Sequence, residues 1–235
     1  MSTYSEQLGG YTGTISSEIT ETLRDAIITG EISQGSKLSE TKLAKDFDVS
    51  RGPLREAIRN LEGMNLIVHV PQQGARVVTL SMELILEIYD TREALESKAA
   101  SLAAANMTSV EIDELHRIID AQSKHMRDNS NSYIPAESDY DFHDTLVRGA
   151  KNKVIESALL RRLYPLIKMF RYQHEFASTS TTNSLQEHRQ IVYAIEQRDT
   201  ELAGVTVKRH IIRARDRIER RLTSIVGDKN TKRAS

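Results

Sequence analysis

The sequence has no cysteine and no tryptophan, only 4 prolines, and aromatic residues at 5%. Without cysteine there can be no disulfide and no thiolate metal ligand. Scarce aromatics and few prolines favour helices over sheets. No apolar run approaches the ~20 residues needed to cross a bilayer, and no apolar signal-type stretch follows the start. A cytoplasmic location without a membrane partner is therefore expected. Charge of one sign is missing too. The net charge is −1, and residues 1–80 carry fewer basic than acidic side chains. Phosphate binding wants local positive charge, so any case for a nucleic-acid partner must come from where particular arginines sit.

What is present has two textures. The 235 residues, 39% hydrophobic and 28% charged, suit one large or two modest globular domains. Residues 1–14 are polar and read as a flexible arm. Residues 15–80 carry three short helical patterns followed by two short extended runs, and residues 81–226 carry long helical patterns with little Gly or Pro. Residues 227–235 read as a disordered tail. The expected fold is mainly α, an N-terminal winged helix-turn-helix joined to a C-terminal antiparallel all-helical bundle.

Ile19, Leu23 and Ile27 recur every four residues and predict a helix over 15–29, with Gly30 as its C-terminal glycine. Ser39 and Ser50 can cap two further helices, the second reaching Gly63, and Ser81 can cap the first helix of the second part. Two β-branched runs around Gln72-Gln73-Gly74 read as a hairpin. Six helices are expected beyond residue 82, at 82–104, 109–128, 133–149, 152–175, 183–197 and 200–225.

On a helical wheel, Leu54, Ala57, Ile58 and Leu61 share one face, while Arg51, Arg55 and Arg59 form an adjoining stripe. A helix of this kind can bury one face and offer guanidinium groups to a DNA groove, where arginine pairs bidentately with guanine or phosphate. Gly74 and Arg76 at the hairpin suit close approach to the DNA backbone or minor groove. The plainer reading is a solvated amphipathic helix with surface arginines.

Asp139 and His143 are four apart and project from one helix face. His188 and His210 are equidistant from Asp199, so an antiparallel hairpin turning there sets them side by side. One carboxylate and three imidazoles suit zinc, nickel, cobalt or manganese, with zinc preferred. Such a metal can take the carboxylate of a small organic acid. Two alternatives stay open: a metal-dependent enzyme, and a helical scaffold whose histidines are structural. The enzyme lacks support, because there is no His-Glu-x-x-His and no histidine with a Glu three residues before it.

The stretch Ser39-Glu-Thr-Lys-Leu-Ala-Lys-Asp-Phe-Asp-Val-Ser-Arg-Gly-Pro-Leu-Arg-Glu-Ala-Ile58, with its flanks, resembles the N-terminal signature of the GntR family of bacterial regulators. Asp139-Tyr-Asp-Phe-His143, Glu187-His188-Arg-Gln-Ile and Val207-Lys-Arg-His210 resemble the motif blocks of the FCD ligand-binding domain, in a six-helix arrangement like the VanR type. The resemblance implies a homodimer on a palindromic operator, read by Arg51 and Arg55 with Gly74 at the wing tip. Thr41 stands where some relatives carry another arginine. It implies a metal held by Asp139, His143, His188 and His210, and a carboxylate effector. Arg92 and Asn152 match positions implied to meet that effector, although Arg92 can equally pair with Glu96 and Asn152 can cap a helix. The implied function is a transcription regulator, with repression expected, that answers to a small carboxylate.

Overall fold

The computed structural model describes residues 13–128, 136–173 and 182–231. The chain divides into two compact units. The first takes the described residues up to Leu80 and then Arg161 to Gln173, and the second takes the remainder.

In the first unit, α1 (Ile15–Thr29) is capped by Thr14, whose hydroxyl accepts from the Ser17 amide, and ends at Gly30 with φ 87°. Helix α2 (Glu40–Asp46) starts at Ser39, whose side chain caps the Lys42 amide. Ser50 occupies the N-cap position of α3 (Arg51–Gly63) with extended backbone, but its hydroxyl makes no cap bond. The turn between α2 and α3 closes at Asp48, φ 53°. Strands β1 (Ile67–Val70) and β2 (Gly74–Val77) pair antiparallel, with Val70 opposite Gly74. The loop before α2 adds to the β2 edge, through Leu38 N–H to Ala75 C=O and Val77 N–H to Ser36 C=O. The core joins Ile19, Leu23 and Ile27 to Leu54, Ile58 and Leu61, with Phe47, Leu66 and Val77 closing it, all nearly or fully buried. The three-, four- and seven-residue spacing seen in the sequence is the cause, since one face of each helix is apolar.

The second unit is all-helical: α4 (Met82–Asn106), α5 (Ser109–Asp128), α6 (Ala136–Gly149), α7 (Lys153–Glu156), α9 (Thr182–Glu196) and α10 (Thr200–Thr231). Ser81 caps α4 through the Leu84 amide. Helices α4 and α10 form the most extensive packing in the unit. Ala99, Ala100, Ala103 and Ala104 on α4 are fully buried. Gly204 on α10 lies so close that a Cβ there would come within 2.6 Å of the Ser101 hydroxyl. Small residues on both helices permit this approach, and Ser97 Oγ donates to the Gly204 carbonyl at 3.1 Å.

Three expectations need correction. The helix expected over 152–175 is broken into α7, a π-helical stretch Ser157–Leu163, and α8 (Tyr164–Gln173). Pro165 has no N–H and its ring crowds the carbonyl four residues back, and a widened turn relieves that conflict. Helix α8 belongs with α1 rather than with the bundle, so the second unit is not the continuous segment 81–226. Gln173 Nε2 donates to the Ile27 carbonyl at 2.7 Å, and Leu166, Ile167, Met169 and Phe170 are buried. Lastly, α10 continues to Thr231 instead of giving way to a disordered tail at 227. Gly227 costs a helix only about 1 kcal/mol and no proline follows to end it. The N-terminal arm, apart from Gly13 and Thr14, and residues 129–135 and 232–235 lie outside the described residues.

Candidate functional site

His143 on α6, His188 on α9 and His210 on α10 meet inside the second unit, each at most 3% exposed. One ring nitrogen from each falls within 4.8 Å of the others. His210 Nε2 and His143 Nε2 are 3.3 Å apart. Two nitrogens on one tetrahedral zinc, with bonds of ~2.0–2.1 Å, stand about 3.4 Å apart. Asp139, one turn before His143 on α6, places Oδ1 3.7 Å from His188 Nε2.

The far sides of the three rings are held by other elements. His188 Nδ1 lies 3.2 Å from the Gln122 side-chain oxygen of α5. His210 Nδ1 lies 2.7 Å from Glu187 Oε2 of α9. His143 Nδ1 lies 2.8 Å from Glu96 Oε2 of α4, off the line of an ideal hydrogen bond. Each Nδ1 therefore faces an oxygen that can accept its proton, which leaves the lone pair on Nε2, where the rings converge. Metal-binding histidines use such outer partners to fix tautomer and orientation. His188 Nε2 is buried without a hydrogen-bond partner. Phe142 stacks on the His188 ring at 3.9 Å between centroids and holds its plane.

Electrostatics favour neutral ligands. Burial, followed by the neighbouring His210, pushes His188 well below the ordinary imidazole pKa. Burial also lowers His210, against the hydrogen bond it donates to Glu187. Glu96 is fully buried, which alone would raise its pKa, but the Arg92 guanidinium and His143 hold it at about 2. Glu187 is likewise lowered: burial pushes it up, but the bond from His210, the Arg213 bond and the charge of Arg217 together outweigh that. The residues present thus fit a divalent metal with nitrogen and carboxylate ligands.

Arg92 is 4% exposed and donates through Nε to Glu96 Oε1 at 2.6 Å. This is the intrahelical pair that the sequence allowed, and it places Arg92 one residue removed from His143. Asn152 is the N-cap of α7, where its side-chain oxygen accepts from the Val154 and Ile155 amides. The sequence did not reveal Gln122, or Glu187 as a ligand partner, and it showed Glu96 only as the mate of Arg92. Glu187 had one available signal, its place beside His188 in the motif. Gln122 had none.

In the first unit, Arg51, Arg55 and Arg59 are exposed on α3, as is Thr41 on α2. Arg55 forms an exposed ion pair with Glu40 of α2 at 2.8 Å. Gly74 begins β2 with φ 84°. Arg76 is only partly exposed, and its Nη1 donates to the Gly35 carbonyl at 2.7 Å, so it ties the loop before α2 to the wing.

Two family profiles match this chain: "Bacterial regulatory proteins, gntR family" over residues 15–77 and "FCD domain" over residues 87–213. The chain belongs to the GntR family. It is similar to the gluconate operon transcriptional repressor of Bacillus licheniformis, at 32% identity over 77% of this chain and 75% of that protein. The same-named protein of Bacillus subtilis is 28% identical over 84% of this chain and 82% of its own length. Among solved structures, a GntR regulator from Rhodococcus sp. RHA1 superimposes with TM-score 0.65 at 25% identity, covering 86% of this chain and 96% of that one. E. coli McbR/YncC superimposes with TM-score 0.69 at 15% identity, covering 90% of this chain and all of that one, which speaks to fold alone. This GntR-family chain is a transcription regulator of mainly helical fold with an N-terminal helix-turn-helix and wing, and not an enzyme.

Proposed function

We propose that this GntR regulator is a repressor whose operator affinity is set by a small carboxylate bound at a divalent metal, zinc by preference, in the helical unit. The observation that carries this is the convergence of three buried Nε2 atoms whose Nδ1 atoms all face acceptor oxygens. Asp139, His143, His188 and His210 would hold the metal, and Glu96, Gln122 and Glu187 would orient the three rings. The metal would supply a Lewis-acid centre for the effector's carboxylate. Arg92, buried beside Glu96, keeps that glutamate ionised and is the better placed of the two effector candidates, because the Asn152 oxygen is taken up by its cap.

On DNA, α3 would enter the major groove with Arg51, Arg55 and Arg59, with Thr41 of α2 and the wing at Gly74 meeting the backbone. Arg76 would act by holding the wing in place. A homodimer on a palindromic operator follows from the same reading. The chain itself ties the two functions together. Between His143 and His188 it leaves the metal-site helices, contributes α8 to the unit that contains α3, and returns. Effector and operator binding then share one coupling free energy, and each must alter the affinity of the other equally.

The test is metal content by mass spectrometry on protein purified without chelator, beside a His143→Ala/His188→Ala double variant, followed by operator binding with and without carboxylates such as gluconate. Near-stoichiometric metal in the wild type only, and weaker operator binding with a carboxylate present, are expected. If the wild type takes up neither zinc, nickel, cobalt nor manganese, the metal-centred reading fails and the DNA-binding reading stands.

A further inference from the structure

Along the α9–α10 hairpin lies an open cavity of about 380 Å³ with Glu187, Arg189, Tyr193, Leu202, Arg209 and Arg213 in its wall. Its size falls in the range of small-ligand sites, roughly 300–1,000 Å³. Three guanidiniums face it against one carboxylate. Arg209 and Arg213 are one turn apart on α10, and Arg189 and Arg209 are equidistant from the hairpin turn, by the same symmetry that pairs His188 with His210. Like charges so placed repel one another. Glu187 neutralises only Arg213, through Oε1 to Nη1 at 2.8 Å. Arg189 is held by a neutral partner, its Nη2 donating to Ser123 Oγ at 2.7 Å. Arg209 has no ion-pair partner among the described residues. The remaining wall sets Tyr193, 58% exposed, and Leu202, 42% exposed, beside the uncharged polar side chains of Gln190 and Thr206.

Uncompensated positive charge beside an exposed ring and an exposed leucine is complementary to an organic anion with a flat apolar body. We infer that this groove is a second anion site, independent of the metal, and that it takes an aromatic carboxylate. Arg209 and Arg189 would pair with carboxylate oxygens while the ring of the ligand lies on Tyr193 and Leu202. The site goes beyond the proposed metal-bound effector and does not depend on it. It shares only Glu187, whose other oxygen faces His210.

The probe is isophthalate, titrated calorimetrically into the full chain in two states, stripped with chelator and loaded with zinc, with inorganic phosphate as a ringless comparison. Saturable binding at one site per chain is expected, equal within about twofold in both states. Arg209→Ala should weaken isophthalate tenfold or more, and Tyr193→Ala should weaken it several-fold while leaving phosphate unchanged. Both side chains are exposed, so thermal melting should match the wild type. No saturable binding, binding that ignores Arg209→Ala, or binding seen only with zinc present would each overturn the proposal. The last outcome would place the anion at the histidines instead, so this test fails separately from the metal reading.

Discussion

Glu96 meets two charged or chargeable partners at once, Arg92 Nε at 2.6 Å and His143 Nδ1 at 2.8 Å, with no exposure to water. Removing its charge breaks the buried ion pair with Arg92, which costs about 3–5 kcal/mol. Glu96→Gln is therefore expected to lower the melting temperature sharply and to weaken metal binding as well. Gln122→Leu probes the orienting role, because it removes the side-chain oxygen that faces His188 Nδ1. Its expected signature is zinc affinity down roughly 10–100-fold with stoichiometry retained, read by competition with a chromophoric chelator. The histidines also set a pH dependence. His188 and His210 have lowered pKa values in the folded chain. As pH falls through the ordinary value of 6.5, the unfolded chain takes up protons that the folded chain refuses, so the stripped protein should lose stability below that pH. Melting curves between pH 8 and 5 that stay flat would contradict this. Glu96, held at about 2 against its usual 4.5, adds a second loss between those two values.

At the level of single elements, the wing and α3 separate DNA contact from support. Gly74 has φ 84°, and a Cβ there would meet nothing within 4 Å. Gly74→Ala should thus cost only the left-handed backbone penalty, roughly 1–2 kcal/mol, seen as a destabilised hairpin and weaker operator binding. Arg51 is exposed, and Arg51→Ala is expected to lose about 1–3 kcal/mol of specific binding with an unchanged melting temperature. Arg76→Ala should do the reverse, lowering stability by about 1 kcal/mol through the lost bond to Gly35, with any effect on DNA following from that. The elements themselves were largely legible. The apolar spacing of α1 and α3, the β-branched runs of the hairpin and the Ser81 cap are local signals. The break at the π-helical stretch was missed because the helical period continues through it, and the conflict at Pro165 is settled by a local widening that periodicity does not register.

For the molecule as a whole, the assignment of α8 to the first unit has a direct consequence. A fragment ending at Leu80 would lose the helix that packs on α1 and expose the buried positions it covers. It is expected to unfold at a lower temperature than the same unit in the full chain, read by circular dichroism. Zinc should raise the melting temperature of the full chain, by the equivalent of ~2.7 kcal/mol when free metal is 100 times its Kd. The fragment, which lacks all four candidate ligands, should not respond.

The sequence by itself determined the family, the helix-turn-helix with its wing, and the pattern that singles out Asp139, His143, His188 and His210, because these rest on local periodicity and on motifs that survive in a linear string. Tertiary structure decided which Nδ1 each oxygen faces, how Arg92 divides between a pocket and Glu96, and where α8 packs. Those outcomes depend on side chains that meet from α4, α5, α6, α9 and α10, or from α1 and α8, across tens of residues or more. No local period encodes such meetings. They follow only when burial forces each buried polar group to find a partner.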